Sequence, residues 1–277
     1  MRNGNPVVEL RAGRAQAFVD PMRGGRLARL SVDGRDLLRG APSPDDVSIT
    51  WGCFLMAPWP GRLAGGRFTW QGREVVVPRT HGRHAIHGLG WSQAWTVTTR
   101  SEREAALELD LAGVGWPLGG TARERFVLAP GWLRLEAEIE AAAPAPAALG
   151  WHPWFLRRGG VHLRLNAASV LEVDRMIPTG RELPIQGEFD LANGPELGRR
   201  RLDTAYVGAR SPIVIEWPDL ELRMSFGSEM STAVVHTPAE AFCVEPQTAS
   251  PNALATGGAT LLDAGGSLVS TVTLEWR

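Results

Sequence analysis

An alternation of apolar and polar residues with a period of two is the feature that most restricts what this chain can become. Leu107, Leu109 and Leu111 keep that period, and so do Leu133, Leu135, Ala137 and Ile139. It returns in Ile213, Ile215 and Trp217, in Leu220, Leu222, Met224 and Phe226, and from Leu268 to Trp276. Side chains on a strand point to alternate faces, so such a pattern describes sheets with one face in a core. The segment from Glu102 to Leu111 has some helical character, but its strict leucine alternation favours a strand. Earlier strands are expected at Val7 to Leu10, Ala15 to Val19 and Arg26 to Val32, with Asp33-Gly34 as a hairpin turn before Asp36 to Leu38. A second hairpin turns at Gln71-Gly72, between Phe68/Trp70 and Val75/Val77. With 32 glycines and 20 prolines separating short strands, the sequence predicts an all-β fold: one large antiparallel β-sandwich with little helix, spanning residues 1–277 as a single domain. Asp174 to Arg201, the longest weakly patterned region, is expected to be a loop excursion on one face.

Composition then removes whole classes of function. A net charge of −1 with interspersed signs leaves no footprint for nucleic acid or an anionic membrane. All 29 basic residues are arginine, so Schiff-base chemistry, pyridoxal-phosphate attachment and a P-loop lysine are excluded together. The polar start, Met1 to Val8, does not resemble a signal peptide, and no apolar run is long enough to span a bilayer. Cys53 and Cys243, far apart in apolar strand-like segments, read as buried free thiols of a cytoplasmic protein.

With a single tyrosine (Tyr206) and six histidines, few acid–base groups remain. In Gly150-Trp151-His152-Pro153-Trp154-Phe155, Pro153 biases His152 toward an extended conformation and so toward one direction. A proton-handling group among aromatic rings suits a sugar, although a core histidine in an aromatic cluster has the same signature. Pro58-Trp59-Pro60-Gly61-Arg62 is a stiff turn presenting an arginine fork, against the default of a surface arginine. His81, His84 and His87 have a spacing that invites a zinc reading, but on an extended segment they turn to alternating faces. His87, followed by Gly88, is the most site-like of the three, because glycine allows close backbone approach. Asp203 precedes a short β-type run, and Glu245 ends a hydrophobic run before Pro246-Gln247. If Glu245 faces inward, burial raises its pKa toward the range of a general base; if not, it is a solvated strand end.

Taken in order, the arginine turn, His87-Gly88, His152-Pro153-Trp154-Phe155, Leu202-Asp203 and Glu245-Pro246-Gln247 resemble the aldose 1-epimerase (galactose mutarotase) family over nearly the whole chain, from Gly24-Gly25-Arg26-Leu27 onward. The resemblance implies a galactose mutarotase-like β-sandwich with a cleft on one sheet, acting on a free monosaccharide without metal or organic cofactor, as a monomer or homodimer. It implies His152 as general acid, Glu245 as general base, His87 on the ring-oxygen side of the sugar, Asp203 anchoring hydroxyls and Arg62 orienting the substrate.

Departures from the family pattern bear on the substrate. The chain has His87-Gly88-Leu89-Gly90-Trp91 where many members have His-Gly-Gly, Trp154 where tyrosine is commoner, and Asn252 where an acid often stands. Trp151 and Trp154 are expected to turn away from the ligand that His152 faces, which leaves Trp59 and Trp91 as sugar-stacking candidates. Two alternatives stay open. One is a hexose-6-phosphate 1-epimerase, with Arg157, Arg158 or Arg83 supplying cations; the other is a non-catalytic sugar-binding protein of the same fold.

Overall fold

Strands Thr121–Ala129 and Trp132–Glu140 show what the alternation does. Every second residue is buried, and the two run antiparallel in unbroken register from Thr121↔Glu140 to Ala129↔Trp132. The computed structural model describes residues 7–43 and 45–277, so most of the polar start (Met1 to Val8) lies outside the described residues. These two strands belong to an eight-stranded sheet ordered Thr96–Arg100, Glu104–Asp110, Thr121–Ala129, Trp132–Glu140, Ser267–Trp276, Leu220–Phe226, Arg210–Trp217 and His162–Asn166. An eleven-stranded sheet faces it. Its path runs Val8–Ala12, Ala15–Asp20, Arg26–Val32, Cys53–Met56, Gly150–Leu156, Ala241–Gln247, Thr232–His236, Asp203–Val207, Ser169–Asp174 and Ile177–Leu183, with Arg35–Asp36 paired to Arg26–Val32. The two inner faces share one apolar core that includes Leu27, Phe126, Leu135, Trp151, Phe155 and Val272. The all-β sandwich is therefore observed, and Cys53 and Cys243 are buried free thiols. Among the described residues no helix is long and apolar enough to cross a membrane.

The expected turns form as their residues demand. Asp33 and Gly34 have φ of 51° and 76°, and Gln71 and Gly72 have 48° and 76°, the left-handed pair of a tight hairpin. One expectation is overturned. The stretch from Asp174 to Arg201 is not simply a loop, because Ile177–Leu183 pairs back on Ser169–Asp174 through a turn at Arg175 and Met176. That hairpin is the last of the sheet and largely exposed, so burial imposes no alternation on it. The opposite circumstance hides three central strands. Cys53–Met56, Gly150–Leu156 and Ala241–Gln247 are buried on both faces almost throughout, so their sequences run apolar without a period. The site stands on these three and their neighbours.

Candidate active site

Antiparallel register brings the functional side chains into two adjacent rows across the eleven-stranded sheet. The first row contains Phe54, His152, Glu245, Val234 and Ala205. Phe54 is paired with His152, Val234 with Glu245, and Ala205 with Val234, while the Gly150↔Gln247 and Trp154↔Cys243 pairs set His152 opposite Glu245. The second row contains Trp154, Cys243, His236 and Asp203, each paired with the next. Residues from both rows, together with Ile49, Thr50, Arg62, His81, His87 and the hairpin residues Val173, Met176 and Pro178, line a cleft of about 460 Å³. That lies within the roughly 300–1,000 Å³ typical of small-molecule sites.

At its floor His152 Nε2 lies 3.3 Å from Glu245 Oε1, both side chains buried. Gln247, on the same face as Glu245, donates through Nε2 to Glu245 Oε2 at 3.2 Å. The imidazole lies between two rings: Phe54 stacks on it at 4.8 Å and Trp154 at 5.4 Å. Burial holds His152 well below the ordinary imidazole range, reinforced by nearby His87, and lifts Glu245 well above the ordinary carboxylate range, reinforced by Asp203. Glu245 thus faces inward, the first of the two readings its sequence left open, and its burial acts in the direction expected of a general base. Neither partner favours a charge here, so the pair is disposed to hold a single proton between Nε2 and Oε1.

A short ribbon, Arg62–Leu63 against Ala85–Ile86, carries the remaining groups over this floor. The Gly61 N–H donates to His87 Nδ1 at 3.3 Å, and the His87 N–H donates back to the Gly61 carbonyl at 2.9 Å. With Nδ1 accepting, the neutral ring carries its proton on Nε2 and can donate. Burial, then Arg62, push His87 down to about 3, so it stays neutral near neutral pH. His87 has a φ of 58°, a costly conformation for a non-glycine residue and one concentrated at functional sites. Gly88 is required for a different reason from the one expected: a Cβ there would meet the Ala57 carbonyl oxygen at 1.9 Å, so the protein's own backbone makes the close approach. Arg62 lines the cleft with its buried Nε lacking a partner. Asp203 stands at the wall, its Oδ1 3.7 Å from Nδ1 of His236. Asn252 accepts from the Ala64 N–H at 3.0 Å and so ties down the chain beyond Arg62.

His152, Glu245, His87, Arg62 and Asp203 are therefore brought into one cleft. Trp59 and Trp91 do not line it: Trp59 is buried in the core against Trp116 at 5.7 Å, and Trp91 packs beside the cluster of Phe54, Met56 and Trp154. The expectation for the indoles beside His152 is corrected in half. Trp151 turns into the inter-sheet core against Phe126, but Trp154, two positions from His152, shares its face and lines the cleft. Sequence reasoning also missed Gln247 and His236; period-two spacing from Glu245 signals the first, and nothing local signals the second. Arg157 donates to the carbonyls of Thr237, Pro238, Leu197, Gly198 and Arg200, and Arg158 to the carbonyl of Asp36. Neither they nor Arg83 line the cleft. His81 and His84 do not join His87 as a metal triad; His84 Nδ1 instead accepts from the Gly65 N–H at 3.2 Å. The donor set that could hold a metal among the described residues is His87, His152 and Glu245, whose ligand atoms lie within 4.8 Å of one another.

A protein-family model described as aldose 1-epimerase matches residues 6–275. The chain is 25% identical to YphB of Escherichia coli K12 over 202 residues, which cover 71% of this chain and 68% of that protein. A crystal structure of an Escherichia coli K12 protein superposes with a TM-score of 0.89 at 22% identity, covering 98% of this chain and 99% of the other. The galactose 1-epimerase of Lactobacillus acidophilus superposes with a TM-score of 0.82 at 17% identity, covering 100% and 96%.

Proposed function

The chain belongs to the aldose 1-epimerase family, and from that premise we propose that it interconverts the α and β anomers of a free aldose by acid–base ring opening. The observation that carries this reading is the 3.3 Å approach of His152 Nε2 to Glu245 Oε1 at the floor of the cleft. With the shared proton moved from Oε1 to Nε2, Glu245 as carboxylate takes the proton from the anomeric hydroxyl while His152 as imidazolium gives one to the ring oxygen. The C1–O5 bond breaks, a C1 carbonyl forms, and the pair is left neutral. Burial favours that neutral pair, so opening returns the site to the charge state its surroundings prefer. Rotation about C1–C2 presents the other carbonyl face, and reclosure returns both protons to the groups they came from. His87 donates from Nε2 on the ring-oxygen side, Arg62 offers its unpartnered donor to a hydroxyl, and Asp203 accepts from hydroxyls at the wall. Trp154 supplies the apolar surface for the sugar's C–H face. The galactose 1-epimerase among the structural relatives makes galactose a first substrate to try. Specificity for a 6-phosphate finds no support in Arg157 or Arg158, which lie outside the cleft, the first bound to backbone carbonyls and the second to the Asp36 carbonyl and Asp219.

Anomer exchange followed by polarimetry or NMR on a panel of free sugars tests this. Wild type is expected to accelerate exchange, and His152→Ala or Glu245→Gln to lose on the order of 10²–10⁴-fold. Buffer-level rates on free aldoses would sink the reading, acceleration confined to 6-phosphates would replace the substrate class, and binding without acceleration would leave a sugar-binding protein. A chelator is expected to leave the rate unchanged; loss of activity restored by zinc would reassign His87, His152 and Glu245 to metal binding.

A further inference from the structure

Behind the cleft lies a buried cation that the proton transfer does not use. Arg26 has 0% exposure. Its guanidinium donates to the carbonyl of Arg23 at 2.8 Å, of Ser48 at 2.9 Å, of Trp51 at 3.1 Å and of Trp91 at 2.9 Å. Those carbonyls belong to three separate segments, one of which carries Ile49 and Thr50 at the cleft wall. The same guanidinium lies 4.1 Å from the ring centroid of Trp51 and 5.1 Å from that of Phe54. Phe54 in turn stacks on His152 at 4.8 Å and meets His87 edge-on at 5.9 Å. Arg26, Phe54, His152 and Trp154 therefore form one continuous stack from the interior to the ligand space. Gly52 admits this arrangement, since a Cβ there would lie 2.8 Å from the Leu27 carbonyl oxygen and 3.2 Å from Arg26 Cδ.

We propose that Arg26 is a positioning residue for the His152–Glu245 pair, holding Phe54 against the imidazole while fixing the 48–51 cleft wall. This rests on the acid–base reading above. A planar fork is needed because its edge must reach carbonyls of three segments while its face covers two rings; an ammonium can do only part of this. Its charge acts as well. The imidazole is faced by His87 from the covering ribbon, which also carries Arg62 into the cleft, by Glu245 and His236 from the sheet, and by Arg26 through Phe54. Of the two guanidiniums, Arg62 acts on His87, His236 and Glu245, and Arg26 acts on His152, where a cation favours release of the proton.

Arg26→Lys and Arg26→Gln, checked for folding by near-ultraviolet circular dichroism, test this with two readouts. One is kcat and KM for anomer exchange; the other is NMR titration of the His152 ring, which needs no activity. Both variants are expected to lower kcat about 10- to 100-fold, with KM changing less, as for a misplaced catalytic group. The His152 midpoint is expected to rise in Arg26→Gln and to move less in Arg26→Lys, which keeps the charge. Unchanged kcat in a folded variant overturns the proposal, as does an unmoved His152 midpoint in Arg26→Gln. If neither variant folds, Phe54→Leu leaves Arg26 its carbonyl partners and interrupts the stack; a comparable loss of kcat supports the proposal, and wild-type kcat overturns it. A wild type without activity sinks the acid–base reading alone, while the His152 titration still decides whether Arg26 governs that ring.

Discussion

The solvent face of the eight-stranded sheet and the cleft face of the eleven-stranded sheet both carry rows of ionisable side chains, with opposite consequences. On the solvent face Arg123 donates to Glu108 and Glu140, each at 2.8 Å, and Arg125 donates to Glu104 at 2.8 Å and Glu136 at 2.9 Å. Each of these six charges has a partner and water besides, and the hydrogen bonds hold the arginines above the usual guanidinium range and Glu104 below the usual carboxylate range. In and beside the cleft buried atoms lack hydrogen-bond partners: Nδ1 of His152 and Nε1 of Trp154 on the sheet, Oε1 of Gln247 beside Glu245 and Nε of Arg62 on the covering ribbon. Glu245 and His152 are pushed toward neutrality rather than toward charge. Satisfied, solvated charges stabilise what already exists; desolvated, unfinished ones are prepared for a ligand that completes them.

Four measurements sharpen or break this contrast. The largest effect belongs to the double variant His152→Ala/Glu245→Gln, whose loss of rate is expected to resemble that of either single variant, because the two groups act as a unit. Fully additive losses in anomer exchange would mean that they act independently. Trp154→Leu keeps an apolar wall but removes the ring on His152, and a loss of about 2- to 10-fold in kcat/KM is expected, the size of one ring contact.

The third measurement is of stability against pH. His87 titrates at about 3 when folded against an ordinary 6.5, so between those values the unfolded chain binds a proton that the folded chain refuses. Stability is then fullest above the ordinary value and falls as pH drops, by at most about 1.4 kcal/mol per pH unit for one proton. Urea unfolding of His87→Gln should give a flatter dependence than wild type across that window; parallel curves would show that His87 is not desolvated. The smallest effect is expected on the solvent face. Arg123→Ala should change unfolding free energy by less than about 1 kcal/mol and leave anomer exchange untouched. A large kinetic effect there would break the division between the two faces.

Part of the site was legible in the sequence. His152 and Glu245 could be singled out because a histidine locked by proline and a glutamate ending a hydrophobic run are each locally unusual, but each also had a bland reading, and only the resemblance to the family's ordered motifs joined them with Arg62, His87 and Asp203. Trp154 was misjudged, although period two places it on the face of His152. Trp59 and Trp91 suggested platforms because nothing local distinguishes an indole in a core from one in a cleft. Phe54, His236 and Arg26 were invisible because each meets the site through a partner on another strand or segment. The Ile177–Leu183 strand was missed because an exposed edge needs no alternation.

What the amino-acid sequence determined by itself is the set of local preferences: all-β architecture from period-two alternation, tight turns at Asp33-Gly34 and Gln71-Gly72, and a short list of acid–base groups left by the absence of lysine. What only the tertiary structure decided is which strands lie side by side and in what register. Gly150–Leu156 and Ala241–Gln247 are neighbours in the sheet although far apart in sequence, and their register sets His152 across from Glu245. Those strands are buried on both faces, so their apolar runs carry no period from which a register could be read. Their pairing is fixed instead by the packing of the whole sandwich, a property of no single segment.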